Sequence, residues 1–223
     1  KGSQEDVIEA IASLITQLMD SNVESIGIGV PSVVDTKKGI VYNVANIPSW
    51  VEVHLKDILE ERFGIPVKVN NDSNCYTLGE SRFGKGKGFG DMVCVTLGTG
   101  VGSGIIIGGN LYEGRNAGAG EVGCLSYLDK DYESYCSTPF FVSHNTSGAE
   151  LSAKAEAGDS DAIRLWNEFG GHLGELAKAI LFAYDPEAIV FGGGIAAGYP
   201  HFEPALRERI LTFPFETAKD VKI

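Results

Sequence analysis

Three acidic and amide side chains have the type and setting for work on hydroxyl groups: Asn71, Asp72 and Glu121. Asp72 follows the run Val67-Lys-Val-Asn, whose alternation predicts a strand, and ligands collect at the C-terminal ends of strands in α/β folds. There a carboxylate could take a proton from a substrate hydroxyl while Asn71 holds a neighbouring one. Asp72 is equally well placed to cap a helix over residues 73–81, and the sequence leaves both roles open. Glu121 lies in Ala-Gly-Glu-Val-Gly, where small neighbours leave room for bidentate bonding to paired hydroxyls; an exposed loop acid is the plainer alternative.

Glycine supplies the second kind of chemistry. The chain has 29 glycines in 223 residues, about 13% against roughly 7% in average proteins. In Leu97-Gly-Thr-Gly-Val-Gly-Ser-Gly-Ile-Ile, a strand enters and a strand leaves. Gly98, Gly100, Gly102 and Gly104 strip one face of that hairpin, so backbone N–H groups and the Thr99 hydroxyl can approach an anion closely. Close packing of one backbone on another would use the same residues. Gly192, Gly193 and Gly194 directly follow the strand Ile189–Phe191 and form a second close-approach turn, suited to lie under a purine ring. Two other matches are decoys. Residues 79–86 fit a P-loop except that Gly86 replaces the Ser or Thr and a helix precedes it, and Gly118-Ala-Gly-Glu-Val-Gly lacks the strand that a dinucleotide site needs.

These residues need a scaffold of mixed elements. Apolar spacing predicts helices over 7–19, 53–63, 73–81 and 162–182, and strands at 23–31, 67–70, 92–97, 105–107 and 189–191. Residues 39–44 read as the hairpin partner of the first strand, and 109–123 as an ordered loop. Helices and strands mix in both halves, so the class is α/β, with the glycine- and lysine-rich stretch 83–90 as the lobe boundary. Apolar residues make up 43% and charged residues 22%, which excludes a disordered chain. No apolar run reaches the ~18 residues of a membrane span. A net charge of −12 argues against a nucleic-acid partner. Cys75, Cys94, Cys124 and Cys136 show no disulfide spacing, which points to a reducing cytoplasm.

Taken together, the motifs resemble the ROK family (repressors, uncharacterised open reading frames and sugar kinases) of the actin/hexokinase-like ATPase superfamily. Ile26-Gly-Ile-Gly-Val-Pro-Ser-Val-Val-Asp is similar to the family's G-I-G-x-P-G-x-V-D strand, and Asn46-Ile-Pro-Ser-Trp50 to its N-L-P-x-W. Asn70-Asn-Asp-Ser-Asn74 resembles N-D-A-N, Leu97–Ile107 the G-T-G-V-G-G-G phosphate turn, and Gly120-Glu-Val-Gly-Cys124 the G-E-x-G-H motif. The resemblance implies a two-lobed, ribonuclease-H-like fold, with residues 1–86 as one lobe and 87–223 as the other, closing on ATP and a hexose or N-acetylhexosamine. By position, Asp72 becomes the general base. Asn71, Glu121, Asn46 and Cys124 become substrate contacts. Gly98, Thr99, Gly100 and Gly102 cradle phosphate, and Gly192–Gly194 flank the adenosine. Mg2+ accompanies the nucleotide in phosphoryl transfer.

The chain also departs from the pattern. The family's first phosphate loop and its last helical segment are missing, as in a fold truncated at both termini. Cys124 replaces a zinc-binding His, and the following Cys-x-Cys-Gly-x-x-Gly-Cys-x-Glu segment shrinks to Cys136-Ser-Thr-Pro-Phe-Phe, so that one sugar-binding Glu is lost. Cys124, Cys136 and His144 fall short of four zinc ligands, so no structural zinc is expected. A homodimer is the expected assembly. The competing functions are a sugar-responsive transcriptional regulator and a binding protein without turnover. An Asp-Gly-Gly-Thr start ahead of Lys1 would favour the kinase, and a basic helical pair the regulator.

Overall fold

The computed structural model describes residues 2–44, 47–115 and 118–223. Contacts divide the chain into two compact units, Lys1–Cys75 with Glu113–Ala119, and Tyr76–Tyr112 with Gly120–Ile223.

The first unit opens with α1 (Gln4–Leu18), started by a capping box in which Ser3 Oγ accepts the Asp6 N–H at 3.2 Å and the Asp6 carboxylate accepts the Ser3 N–H at 2.8 Å. Then follow β1 (Ile26–Val30), β2 (Val33–Asp35), β3 (Ile40–Tyr42), β4 (Glu52–Val53), α2 (Leu55–Phe63), β5 (Val67–Asn71) and α3 (Asp72–Phe83). Residues 39–44 do not pair with β1. Asp35 Oδ1 accepts the N–H groups of Lys37 and Lys38, and Gly39 turns the chain at φ +67°. This tight turn lays β3 antiparallel on β2, with Val34 opposite Val41. β1 instead pairs parallel with β5, Ile28 opposite Val69, which places Val30 and Asn71 side by side at the C-terminal end of both strands. Ile8 and Ala12 of α1, Leu55 and Leu59 of α2, Trp50, Val67 and Val69 close this core.

The second unit is built on a four-stranded sheet in the order β11-β6-β7-β8, from β6 (Met92–Leu97), β7 (Val101–Ile107), β8 (Asn110–Leu111) and β11 (Ala188–Gly192). β11 runs parallel to β6, Gly192 opposite Thr96, and β7 returns antiparallel, Gly102 opposite Thr96 on the other side. Between β8 and β11 lie the hairpin β9 (Ser126–Tyr127) and β10 (Lys130–Asp131), then α4 (Tyr132–Cys136), α5 (Thr138–Ser143), α6 (Gly148–Glu156) and α7 (Ser160–Tyr184). After β11 comes α8 (Tyr199–Ile210). Trp166 and Phe169 of α7 and Phe202 of α8 are fully buried, each worth on the order of 2 kcal/mol.

The division between units falls within α3, ahead of the glycine- and lysine-rich stretch 83–90 that composition suggests. Tyr76, Leu78 and Phe89 already pack on Met92, Cys94 and Ile106, so the hydrophobic contacts of the second unit begin before the glycine-rich loop. Among the described residues, no helix is long and apolar enough to cross a membrane.

Candidate active site

In the first unit the chemistry gathers where β5 becomes α3. Asn71, not Asp72, caps the helix: its Oδ1 accepts the Asn74 N–H at 3.1 Å, while its Nδ2 donates to the Ser32 carbonyl at 3.3 Å. Asn71 is therefore half-buried and already engaged on both sides of its amide. Relieved of capping, Asp72 is exposed, accepts the Ser73 N–H at 2.8 Å, and forms no ion pair among the described residues. A Cβ on Gly29 of β1 would lie 3.3 Å from Asp72 Cα, so the backbone of β1 runs close beneath this residue. Asn46 lies outside the described residues.

In the second unit both glycine turns sit at the C-terminal ends of the parallel neighbours β6 and β11. The first is shorter than the sequence suggests. β7 begins at Val101, so Gly102 and Gly104 are ladder residues opposite Thr96 and Cys94, and only Gly98, Thr99 and Gly100 form the turn. Thr99 is exposed, and a side chain on Gly98 would meet nothing within 4 Å. In the second turn, Gly193 has φ +86° and ψ 175°, and a Cβ there would collide with the Leu97 backbone, 2.9 Å from its nitrogen. Gly194 faces open space. The two turns thus touch through Gly193 and Leu97, while Gly98 and Gly194 leave room for a ligand.

Residues 120–124 lie over the start of β7. Gly120 has φ +100°, its Cβ position is 2.7 Å from the Ser103 carbonyl, and its own carbonyl accepts the Ser103 hydroxyl. A side chain on Gly123 would strike the Val101 carbonyl. These glycines act through backbone packing and so bring the exposed Glu121 beside the turn-to-strand junction. Cys124 is exposed, and its thiol is pushed up by partial burial and then by Glu121, Glu133 and Asp131. It stays protonated near neutral pH and can offer only a weak S–H donor where the G-E-x-G-H motif it resembles has imidazole.

Glu133 escapes the sequence reading. Its Oε2 accepts the Val101 N–H at 3.1 Å and overlies Gly100. The lost glutamate is sought after Cys136, whereas this one stands before it. The available signal is Asp131, which caps α4 by accepting the Ser134 N–H at 2.8 Å and so fixes Glu133 in the first helical turn. Thr138 completes the clamp, since its N–H and hydroxyl both donate to the Gly98 carbonyl, at 3.0 and 2.8 Å. The carbonyl side of the glycine turn is held by α5, and the Gly98 N–H is taken by the Gly100 carbonyl at 3.0 Å, so the turn's offer to an anion is the Thr99 hydroxyl with the N–H groups of Thr99 and Gly100.

The shortened segment after Cys124 is held by aromatic packing. Tyr127 stacks on Tyr132 with ring centroids 4.4 Å apart, and its hydroxyl lies 3.1 Å from His172 Nδ1 on α7. Burial raises the Tyr127 phenol to about 12 and lowers His172, so a neutral phenol meets a neutral imidazole. Cys136 is fully buried with its thiol pushed far up by desolvation, the opposite of what a thiolate ligand needs. Among the described residues there is no group of three or more His, Cys, Asp or Glu side chains able to hold a metal. Purified protein should contain no stoichiometric zinc, and its melting temperature should not move on adding a chelator. Zinc in elemental analysis, or a large chelator-induced drop, would overturn this account of residues 124–144.

Comparison with known proteins gives this geometry its relatives. The ROK family model matches residues 2–142 and 141–221. A glucokinase of Thermotoga maritima is 30% identical, over 96% of this chain and 77% of its own length. The crystal structure of a ROK family glucokinase from Streptomyces griseus, in complex with glucose and AMPPNP, superposes with a TM-score of 0.79 at 29% identity, covering 96% of this chain and 81% of that one. The xylose repressor of Bacillus subtilis is 28% identical over 92% of this chain and 57% of its own. The α/β architecture, the glycine turns at adjacent strand ends and this coverage converge on one conclusion: the chain belongs to the ROK family, with the actin/hexokinase-like fold of its sugar kinases.

Proposed function

We propose that the protein is an ATP-dependent sugar kinase that phosphorylates a hydroxyl of a hexose or N-acetylhexosamine, with Asp72 as general base. The observation that carries this reading is the release of Asp72 from capping. Asn71 satisfies the helix N-terminus, and the neighbouring carboxylate is left exposed at a strand end, in no ion pair among the described residues. Such a group can accept a proton from an attacking hydroxyl. Asn71, Glu121 and Cys124 are the substrate contacts in this reading, with Glu133 as a further acceptor. Gly98, Thr99 and Gly100 are assigned to the phosphates, with Gly102 behind them in the ladder, and Gly192–Gly194 to the adenosine. The open space at Gly98 and Gly194 fits a nucleotide approaching both turns. Mg2+ would arrive on the nucleotide's phosphates and supply charge neutralisation during transfer. The chain's own part is to orient the sugar, hold the phosphates through backbone N–H groups and remove one proton.

A regulator is the second reading, supported by the match to the xylose repressor. A coupled assay with Mg–ATP against a panel of hexoses and N-acetylhexosamines, run beside calorimetric sugar binding, separates the two. Turnover of at least one sugar is expected. Sugar binding without turnover would replace the kinase by a sensor, and neither binding nor turnover would overturn both.

A further inference from the structure

Glu113 lies in the one segment that the contact pattern assigns to the first unit although its sequence neighbours belong to the second. It is half-buried, and its carbonyl accepts the Ala119 N–H at 3.2 Å. Its carboxylate spans two elements. Oε1 accepts Asn70 Nδ2 at 2.8 Å, and Oε2 accepts the Thr36 hydroxyl at 3.2 Å. An ionised carboxylate is acceptor-only, so Asn70 has to present its NH2 to Glu113 and turn its Oδ1 the other way. That oxygen takes the Asn71 N–H at 2.7 Å and Asn74 Nδ2 at 3.2 Å. Asn74 is 2% exposed, and its own Oδ1 is buried without a partner, so a flip of either amide would set acceptor against acceptor in the interior. One carboxylate therefore decides the orientation of two amides that bracket Asn71 and Asp72.

We propose that Glu113 is a positioning residue for the Asn71–Asp72 end of β5, acting through Asn70. This rests on the sugar-kinase reading for its functional consequence, whereas the structural consequence stands apart from it. Hydrogen exchange at single amides tests the latter on the full chain without sugar or nucleotide. Glu113→Ala should speed exchange of the Asn71 and Asn74 amides ~10-fold or more while leaving β6 unchanged, because local opening follows lost local bonds. Thr36→Val removes one anchor only and should act in the same direction by less, in a chain that keeps its core intact. Glu113→Gln can still offer an acceptor to Asn70 and a donor to Thr36, and should stay within about 2-fold of wild type.

In sugar binding, Glu113→Ala should raise KM ~10-fold with kcat within about 3-fold, and it should add nothing once Asn70→Ala is present, as coupled residues behave in a double-mutant cycle. Unchanged exchange in both Glu113→Ala and Thr36→Val, or additive effects of Glu113→Ala and Asn70→Ala, would overturn the proposal. If the wild-type chain binds no sugar, the sugar-kinase reading falls, and the exchange result alone decides the role of Glu113.

Discussion

Asp72→Asn should lower kcat by ~10²-fold or more while sugar affinity stays within a few-fold of wild type, the signature of a lost general base. Asparagine keeps the shape and can still accept the Ser73 N–H, so the first turn of α3 should be preserved. The helix cap is not at risk, because Asn71 supplies it. What the change removes is the group that takes the proton, and phosphoryl transfer needs little other covalent help from the protein. Asn71→Ala gives the contrast. It uncaps α3 and frees the Ser32 carbonyl, so it should cost about 1 kcal/mol of stability in addition to sugar affinity. A near-normal kcat for Asp72→Asn, with the sugar still bound, would show that another group is the base.

The second large effect is expected at Gly193. Its backbone, φ +86° and ψ 175°, lies in a region that only glycine occupies without strain, and a Cβ would press on the Leu97 backbone. Neither partner can swing aside, since Leu97 closes β6 and Gly192 closes β11 in register. Gly193→Ala should therefore cost about 3 kcal/mol, a drop of ~6–12 °C in melting temperature for a chain of this size, with a parallel loss of ATP affinity. Gly194→Ala separates structure from binding. Its Cβ would meet nothing, so the melting temperature should hold while ATP affinity falls. If Gly194→Ala binds ATP as wild type does, the nucleotide base does not lie on this turn.

Where the governing forces act between near neighbours, the sequence was readable. The strands at 92–97 and 189–191 and the long helix near 162–182 are present at those positions, because alternation, helical spacing and the stop at Asp185-Pro186 act within a few residues. Asp72 at the end of β5 was legible for the same reason. Glu133 was not, because its role depends on where α4 lies against Val101, thirty-two positions away. Glu113 was missed in the same way, with Asn70 and Thr36 as partners at separations of 43 and 77.

The sequence by itself determined the long helices, the core strands, the places of the glycine-rich turns and the carboxylates available, since propensity, periodicity and Gly/Pro punctuation are local properties of the chain. Tertiary structure alone decided which strand pairs with which. The 39–44 segment turned to β2 because a tight turn at Asp35–Gly39 closes there, and β1 was left to pair parallel with β5. It also decided which of two adjacent side chains caps α3 and which is exposed for chemistry, a choice set by the Ser32 carbonyl across the sheet end. Hydrogen bonds to a distant carbonyl or carboxylate have no signature in residue spacing, and only the folded chain brings their partners within 3 Å or so of each other.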